Sequence, residues 1–177
     1  MRRLLPCLLL LLLVVPAACG SDDDSGEPAA KPTPEKTSEE PSPSAQREAL
    51  KDTTIKPVIP KPSGSPPRRL DKQDIVKGKG PAAKPGDIVT VQYVGVAFST
   101  GDEFDASWDR GQPFAVPLGA GQVIEGWDKG LVGMRKGGRR MLTIPPELAY
   151  GSEGSPPTIA PNETLIFVID AIDIKPG

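Results

Sequence analysis

Histidine is absent from this sequence of 177 residues, and cysteine occurs only twice, at Cys7 and Cys19. The absence of histidine excludes His-based general acid–base catalysis, catalytic triads that use histidine and zinc sites with histidine ligands. Because both cysteines lie near the amino terminus, the rest of the chain has neither a disulfide framework nor a cysteine nucleophile. We therefore expect neither a metal site nor a cofactor.

Positive charge is not in excess either, since the chain has 21 basic and 23 acidic residues. This balance argues against a nucleic-acid partner. The chain also has no phosphate-binding loop, no dinucleotide-binding glycine motif and no serine elbow. Glycosidases use a pair of carboxylates, and Asp105 with either Asp109 or Glu125 is a candidate pair. However, a domain with such short loops has little space for a cleft that binds a sugar.

The first residues have the layout of a secretory signal peptide, which we place at residues 1–18. Two arginines precede the apolar stretch Leu4–Val15, and small residues follow it. The apolar stretch is short for a membrane span, which needs about 20 residues. One interpretation is cleavage that leaves Cys19 as a free terminus. The other is a bacterial lipoprotein, because residues 17–20 resemble a lipobox, although Pro16 stands where leucine is usual.

The lipobox resemblance implies a lipid on Cys19 and an anchor at the extracytoplasmic face of the bacterial membrane. Residues 20–70 fit a tether, because they are rich in proline, serine and charge and cannot bury enough apolar surface to offset the entropy of ordering. We predict a disordered tether over residues 19–52. Ile55, Val58 and Ile59 interrupt the polar run and predict an extended strap on the domain over residues 53–70.

Residues 71–177 predict one globular α+β domain. Residues 88–98 are rich in β-branched and aromatic residues and predict a strand. Residues 164–174 are apolar on both faces, as expected of a central strand. Further short strands are predicted at residues 75–77, 103–106, 113–118 and 139–144.

One segment of this domain has a helical period. Val123, Ile124, Trp127 and Leu131 repeat at helical spacing. Glycines at positions 126 and 130 weaken the helix, so we expect it to be short and held by packing. The predicted architecture is an antiparallel five- to six-stranded sheet wrapped around one short helix.

The few aromatic residues are concentrated in one part of the chain. Four Phe, two Tyr and two Trp make up the whole set, and all of them lie within residues 93–167. The simplest interpretation is that they form the core. However, buried Tyr and Trp need hydrogen-bond partners, and Asp105 directly follows Phe104, which favours a pocket.

Ordered motifs across this domain resemble the FKBP-type peptidyl-prolyl isomerase family. The resemblance runs from about residue 71 to residue 174 and includes the strings VQYVG at 91–95, FDAS at 104–107, VIEGWD at 123–128, LTIP at 142–145, AYG at 149–151 and LIF at 165–167. It implies the FKBP-like fold and acceleration of X–Pro isomerisation. Three positions depart from the best-known member, which has Phe, His and Ile where this chain has Val116, Ser155 and Thr158.

The resemblance also implies roles for individual residues. Trp127 would be the platform for the substrate proline, and Tyr150 and the Ile124 backbone N–H would hydrogen-bond the peptide. Asp105 would accept hydrogen bonds at the pocket edge. The pocket walls would be formed by Tyr93, Phe104, Val123, Ile124 and Phe167, and the rim, which would bind substrate or macrolide, by Arg110, Phe114, Val116 and Ile159.

The implied partners are proline-containing unfolded or exported polypeptides and macrolide inhibitors, with the protein acting as a monomer. Two other functions use the same fold: a binding or holdase module without turnover, and a structural surface lipoprotein with a vestigial pocket. The complete set of pocket residues favours the enzyme.

Overall fold

The stretches rich in β-branched and aromatic residues form strands close to the predicted positions. A computed structural model describes residues 43–177. Its strands are β1 (Asp71–Val76), β2 (Lys79–Ala82), β3 (Ile88–Ala97), β4 (Glu103–Ala106), β5 (Phe114–Pro117), β6 (Arg135–Lys136), β7 (Arg139–Ile144) and β8 (Leu165–Lys175). Its α-helices are α1 (Pro43–Ala49) and α2 (Glu125–Gly130), and 3₁₀ helices occupy Trp108–Arg110 and Pro146–Leu148.

The strands form a six-stranded antiparallel sheet in the order β1-β7-β8-β3-β4, and β5 also pairs with β3. The long strands β3 and β8 lie side by side, with Tyr93 opposite Ile169 and Gly95 opposite Phe167. β3 can hold two short partners along the same edge because β5 pairs with its first half and β4 with its second. A separate pair, β2 and β6, completes the strands. The predicted fold class is confirmed.

Helix α2 packs on one face of the sheet, and two glycines permit its close approach. A Cβ atom at Gly126 would lie 2.3 Å from Ile144 Cγ2, and one at Gly130 would lie 2.5 Å from Leu142 Cδ1. Both leucine and isoleucine belong to the main core, between α2 and the sheet. The same glycines that weaken the helix therefore let it pack against β7.

The opposite face of the sheet is covered by residues 50–59, which we call the docked segment. Arg139 of β7 is fully buried and forms an ion pair with Asp170 of β8, its Nε lying 2.5 Å from Asp170 Oδ1. Its guanidinium also donates to the carbonyls of Leu50 (3.0 Å), Asp52 (2.9 Å) and Ile55 (3.1 Å). All five N–H groups of this buried guanidinium therefore have acceptors.

The docked segment differs from the predicted strap in where it begins and how it is held. Helix α1 and buried Leu50 fall within the stretch predicted as a disordered tether. Of the three apolar residues expected to hold the strap, Ile59 packs on the sheet, in a second cluster with residues such as Val94. Ile55 and Val58 are exposed. Hydrogen bonds to Arg139, which the apolar pattern could not reveal, hold the segment together with the packing of Leu50 and Ile59.

The predicted signal peptide, the predicted lipidation site at Cys19 and the first part of the tether lie outside the described residues. Within residues 43–177, neither α-helix has the length and apolar character needed to cross a membrane.

Candidate functional site

Five aromatic rings from five different elements meet at one end of the sheet, above helix α2. Tyr93 comes from β3, Phe104 from β4, Phe114 from β5, Trp127 from α2 and Phe167 from β8. The centroid of Trp127 lies 5.0 Å from that of Tyr93 and 5.2 Å from that of Phe167, and each pair is edge-to-face. Such pairs stabilise a fixed arrangement of rings beyond the area they bury.

The rings surround an open cavity of about 460 Å³. Trp127 and Phe167 are buried, whereas Phe114 and Tyr150 are each about two-fifths exposed and lie at its mouth. The eight residues expected to form the site all line this cavity, together with Phe114 from the expected rim. The complete lining is Tyr93, Phe104, Asp105, Phe114, Gly121, Gln122, Val123, Ile124, Trp127, Tyr150 and Phe167.

Gly95 on β3 lets two of these rings meet. A Cβ atom at this position would lie 2.7 Å from both Phe104 Cζ and Phe167 Cε1. Gly95 pairs with Asp105 on one side and with Phe167 on the other, so its bare backbone lies beneath the contact between β4 and β8 side chains. The centroids of Phe104 and Phe167 are consequently only 5.5 Å apart.

A charged network forms one edge of the cavity. Asp105 accepts a hydrogen bond from the Tyr93 hydroxyl and forms an ion pair with Arg110. Arg110 Nη2 donates to the Tyr93 hydroxyl at 2.7 Å, and its guanidinium lies 5.6 Å from the centroid of the Tyr93 ring. Burial, and then the hydrogen bond to Asp105, raise the pKa of Tyr93. The Tyr93 hydroxyl is therefore kept neutral and fixed in direction.

Two hydrogen-bond donors on the cavity lining have no partner among the residues that the structure describes. The Tyr150 hydroxyl, at the mouth, has none. The Ile124 backbone N–H, at the residue preceding α2, donates to no described backbone carbonyl. Trp127 differs from these two groups because its indole nitrogen is buried, yet it too has no partner within residues 43–177. The cavity is thus apolar in its depth and has donors at its lining.

Arg110, Val116 and Ile159 depart from the expected rim. Val116 is fully buried, because β5 pairs it with Val89 and turns its side chain into the main core. Ile159 is buried as well and lines a neighbouring cavity that shares Phe104 with the first. Arg110 does not line the cavity, and it binds Asp105 and Tyr93 from outside it. Of the four residues expected at the rim, only Phe114 lines the cavity.

Gly121 and Gln122 line the cavity but were not expected to. Their only sequence signal is that they immediately precede Val123 and Ile124. Gly121 has a φ of 64°, a left-handed conformation that favours glycine. Asp128 of α2 accepts the Gly121 backbone N–H at 3.2 Å and that of Gly119 at 2.9 Å, which fixes the loop before the helix.

The carboxylates that were nominal glycosidase pairs are engaged elsewhere. Asp105 is bound to Arg110, Asp109 lies 2.7 Å from Lys56 Nζ, and Glu125 lies 2.5 Å from Lys129 Nζ. Hydrogen bonding to Lys56 lowers the pKa of Asp109, so this carboxyl is a poor general acid. Within residues 43–177, no group of acidic side chains is arranged to hold a metal ion. The cavity can bind and orient an apolar group, with no covalent step.

Comparison with protein families gives a match over residues 80–172 to the model described as FKBP-type peptidyl-prolyl cis-trans isomerase. The "FK506-binding protein" of Streptomyces anulatus is 58% identical over 120 residues, which cover 67% of this chain and 97% of that protein. The "Probable FK506-binding protein" of Corynebacterium glutamicum is 53% identical over 117 residues, covering 66% of this chain and 97% of that protein. Both matched stretches are longer than Asp71–Gly177, so they include residues before β1.

Two further similarities concern activity and fold. The "Peptidyl-prolyl cis-trans isomerase FPR2" of Saccharomyces cerevisiae is 47% identical over 93 residues, covering 52% of this chain and 69% of that protein. Among solved structures, the crystal structure of AtFKBP13 matches with a TM-score of 0.55 and 41% identity, covering 59% of this chain and 91% of that chain.

Proposed function

Since this chain belongs to the family of FKBP-type peptidyl-prolyl cis-trans isomerases and is an isomerase of X–Pro bonds, we propose that the ring-lined cavity is its active site. The observation that carries the assignment is the cavity itself. Its depth is aromatic, and two donors for a peptide backbone, the Ile124 N–H and the Tyr150 hydroxyl, lie on its lining. A proline ring is apolar and compact, whereas the peptide bonds on either side of it need polar partners.

The reaction breaks no covalent bond, so the site has to stabilise a twisted amide. The barrier to rotation is about 20 kcal/mol and comes from the loss of amide resonance. At the twisted geometry the carbonyl is less dipolar than in the planar ground state. An apolar surrounding therefore binds the transition state better than the planar peptide, and such differential binding accelerates the rotation.

Individual residues take the following roles in this proposal. Trp127 is the floor on which the proline ring rests, because it is buried and central to the ring cluster. The Ile124 N–H and the Tyr150 hydroxyl donate to substrate carbonyls on either side of the rotating bond and hold the peptide in place. Asp105 and Arg110 fix the Tyr93 hydroxyl at the edge.

A relaxation assay on the full chain tests the active-site assignment. The cis-to-trans relaxation of a Phe-Pro peptide is followed with the unsubstituted chain, with Trp127→Phe and with Trp108→Phe. Trp108 is the matched control, since it is the second tryptophan and packs in the cluster on the opposite face of the sheet. We expect Trp127→Phe to lower kcat/KM about tenfold and Trp108→Phe to change it less than twofold. Equal losses would overturn the assignment.

We also propose that FK506-type macrolides compete with substrate for this cavity. Support comes from the names of the Streptomyces and Corynebacterium relatives. In the same assay, FK506 should abolish the acceleration. Macrolide binding to an unsubstituted chain that gives no acceleration would instead indicate a recognition module.

Export and membrane anchoring form the second part of the proposal. We propose that Cys19 carries a lipid and holds the domain, as a monomer, at the extracytoplasmic face of the membrane, where its clients are exported proline-containing polypeptides. Support comes from the basic and apolar leader, the small residues before Cys19 and the proline-rich stretch after it. Slow X–Pro isomerisation limits folding outside the cell as well as inside.

A labelled fatty acid supplied to cells that express the chain tests this part. We expect incorporation into the unsubstituted chain and none into Cys19→Ala. The chain should partition with membranes and be cut by protease added to intact cells from which the wall has been removed. Equal labelling of both chains, or protection from the protease, would contradict the proposal.

A further inference from the structure

Resting on the active-site assignment above, we infer that Lys56 is a positioning residue for the isomerase site. Lys56 lies in the docked segment and is not among the residues that line the cavity. It binds instead the two elements that carry Asp105 and Arg110, namely β4 and the 3₁₀ helix Trp108–Arg110. Through Lys56, the docked segment holds in position the two elements that carry Asp105 and Arg110, which form the charged edge of the cavity.

The Lys56 ammonium bridges two carboxylates. Its Nζ lies 2.8 Å from Glu103 Oε1 and 2.7 Å from Asp109 Oδ1. Glu103 begins β4, two residues before Asp105, and Asp109 directly precedes Arg110. On the cavity side, the ion pair between Asp105 and Arg110 joins the same two elements. β4 and the 3₁₀ helix are therefore joined by two sets of ion pairs, the one between Asp105 and Arg110 on the cavity side and those of Lys56 on the other side.

The ion pairs of Lys56 matter for β4 because this strand has few other contacts within the sheet. It has four residues, lies at an edge of the sheet and pairs with β3 as its one partner strand within residues 43–177. The register shifts between Gly95 and Val96, within that short ladder. Phe104 and Asp105, the two cavity residues on β4, depend on this strand for their position.

The backbone around Lys56 is itself fixed, so the Lys56 side chain can hold Glu103 and Asp109 in place. The residue before it, Ile55, gives its carbonyl to the buried Arg139 guanidinium. The residue after it, Pro57, is buried, and its ring fixes its own φ. Hydrogen bonding to Asp109 and then to Glu103 raises the pKa of Lys56, which keeps the ammonium charged.

The test compares three substitutions in the full chain. Lys56→Met removes the charge and keeps much of the aliphatic length, and Lys56→Arg keeps the charge. Lys51→Met is the matched control, because Lys51 lies in the same docked segment but pairs with Glu48 of α1, 2.8 Å away and exposed. Three quantities are measured: kcat and KM for a Phe-Pro peptide, amide hydrogen exchange across residues 103–111, and the melting temperature.

We expect Lys56→Met to lower kcat/KM about two- to fivefold and to speed exchange across residues 103–111, with little change in melting temperature. Lys56→Arg should restore both values, and Lys51→Met should change neither. Unaltered kcat/KM in Lys56→Met, with an active unsubstituted chain, would overturn this inference alone. An inactive unsubstituted chain would overturn the function and this inference together. A loss of turnover matched by an equal loss in Lys51→Met would reduce Lys56 to a general structural role.

Discussion

The absence of a side chain at Gly95 lets two rings of the cavity, Phe104 and Phe167, lie close together. Because a Cβ atom there would lie within 2.7 Å of both Phe104 and Phe167 ring atoms, alanine must push these rings apart or into the cavity. We expect Gly95→Ala to lower kcat/KM about tenfold and to destabilise the fold by about 1–3 kcal/mol, a cost typical of overpacking. Peptide relaxation and urea denaturation measure the two effects.

A second glycine separates an effect on the cavity from a general loss of stability. Gly130→Ala overpacks the core against Leu142, away from the two rings. It should also cost stability, though less than Gly95→Ala, and leave kcat/KM within about twofold when the protein is fully folded. If both variants lost turnover equally, Gly95 would act through stability and not through the cavity.

Asp105 contributes, after burial, to the raised pKa of Tyr93. The pKa of Tyr93 is raised by burial and by its hydrogen bond to Asp105, and is lowered by the hydrogen bond to Arg110. Asp105→Asn removes the negative charge, so we expect the pKa of Tyr93 to fall and tyrosinate absorbance to rise at a lower pH. Ultraviolet difference titration checks this, with Tyr93→Phe identifying the signal. An unchanged or higher titration point in Asp105→Asn would contradict the network.

The same raised pKa has a consequence for stability. The folded state binds the Tyr93 proton more tightly than the unfolded chain, whose tyrosine has the ordinary pKa of 10.0. The resulting stabilisation is complete below that pH and is lost as pH rises through the higher pKa of the folded state. We expect the alkaline loss of stability to be smaller in Tyr93→Phe, as measured by urea midpoints on both sides of this range.

At the scale of elements, helix α2 shows packing prevailing over propensity. Replacing Gly130 by alanine favours an isolated helix by about 1 kcal/mol. The overpacking against Leu142 costs about 1–3 kcal/mol, so the net change should be destabilising. The matched control is Lys129→Ala on the exposed face, where loss of the pair with Glu125 costs under about 0.5 kcal/mol. A more stable Gly130→Ala chain in urea would show that α2 can move away from β7.

The sequence predicts most elements because their patterns are local. The β-branched run at residues 88–98 and the apolar run at residues 164–174 gave strands that the structure places as neighbours. The helical spacing from Val123 to Leu131 gave α2. Val116, which the resemblance implied for the rim, lies in the main core, because β5 pairs with β3 in a register that turns its side chain inward. A strand of four residues has too few positions to show from sequence which face is buried.

At the scale of the whole molecule, the sequence could not reveal the contacts between residues that are far apart in the chain. The cavity residues could be named in advance because several motifs carry them together. The acceptors of Arg139 are backbone carbonyls at residues 50, 52 and 55, and a carbonyl is the same in every residue type. A composition rich in proline and charge predicts disorder for that stretch, whereas in the structure three of its carbonyls accept hydrogen bonds from one buried guanidinium.

The size of the folding unit follows from these contacts. A chain that begins at Pro43 keeps α1, Leu50 and every acceptor of Arg139, whereas a chain that begins at Thr53 loses the Leu50 and Asp52 carbonyls and the buried Leu50 side chain. We expect the shorter chain to be less stable, because it loses the burial of one leucine, which stabilises by about 1.5–3 kcal/mol, and two hydrogen bonds to a charged group. The conformational entropy released by removing residues 43–52 offsets part of this loss. Urea denaturation compares the two chains.

Arg139→Met separates the hydrogen bonds from the rest of the docked segment in that comparison. If the guanidinium is what orders residues 50–55, shortening the chain to Thr53 should cost much less in the Arg139→Met background than in the unsubstituted one, because the two changes share their contacts. Additive losses would mean that Leu50 alone stabilises the fold through the segment. Equal urea midpoints for the chains beginning at Pro43 and Thr53 would mean that the domain folds without it, and that its amino-terminal limit is set later in the sequence.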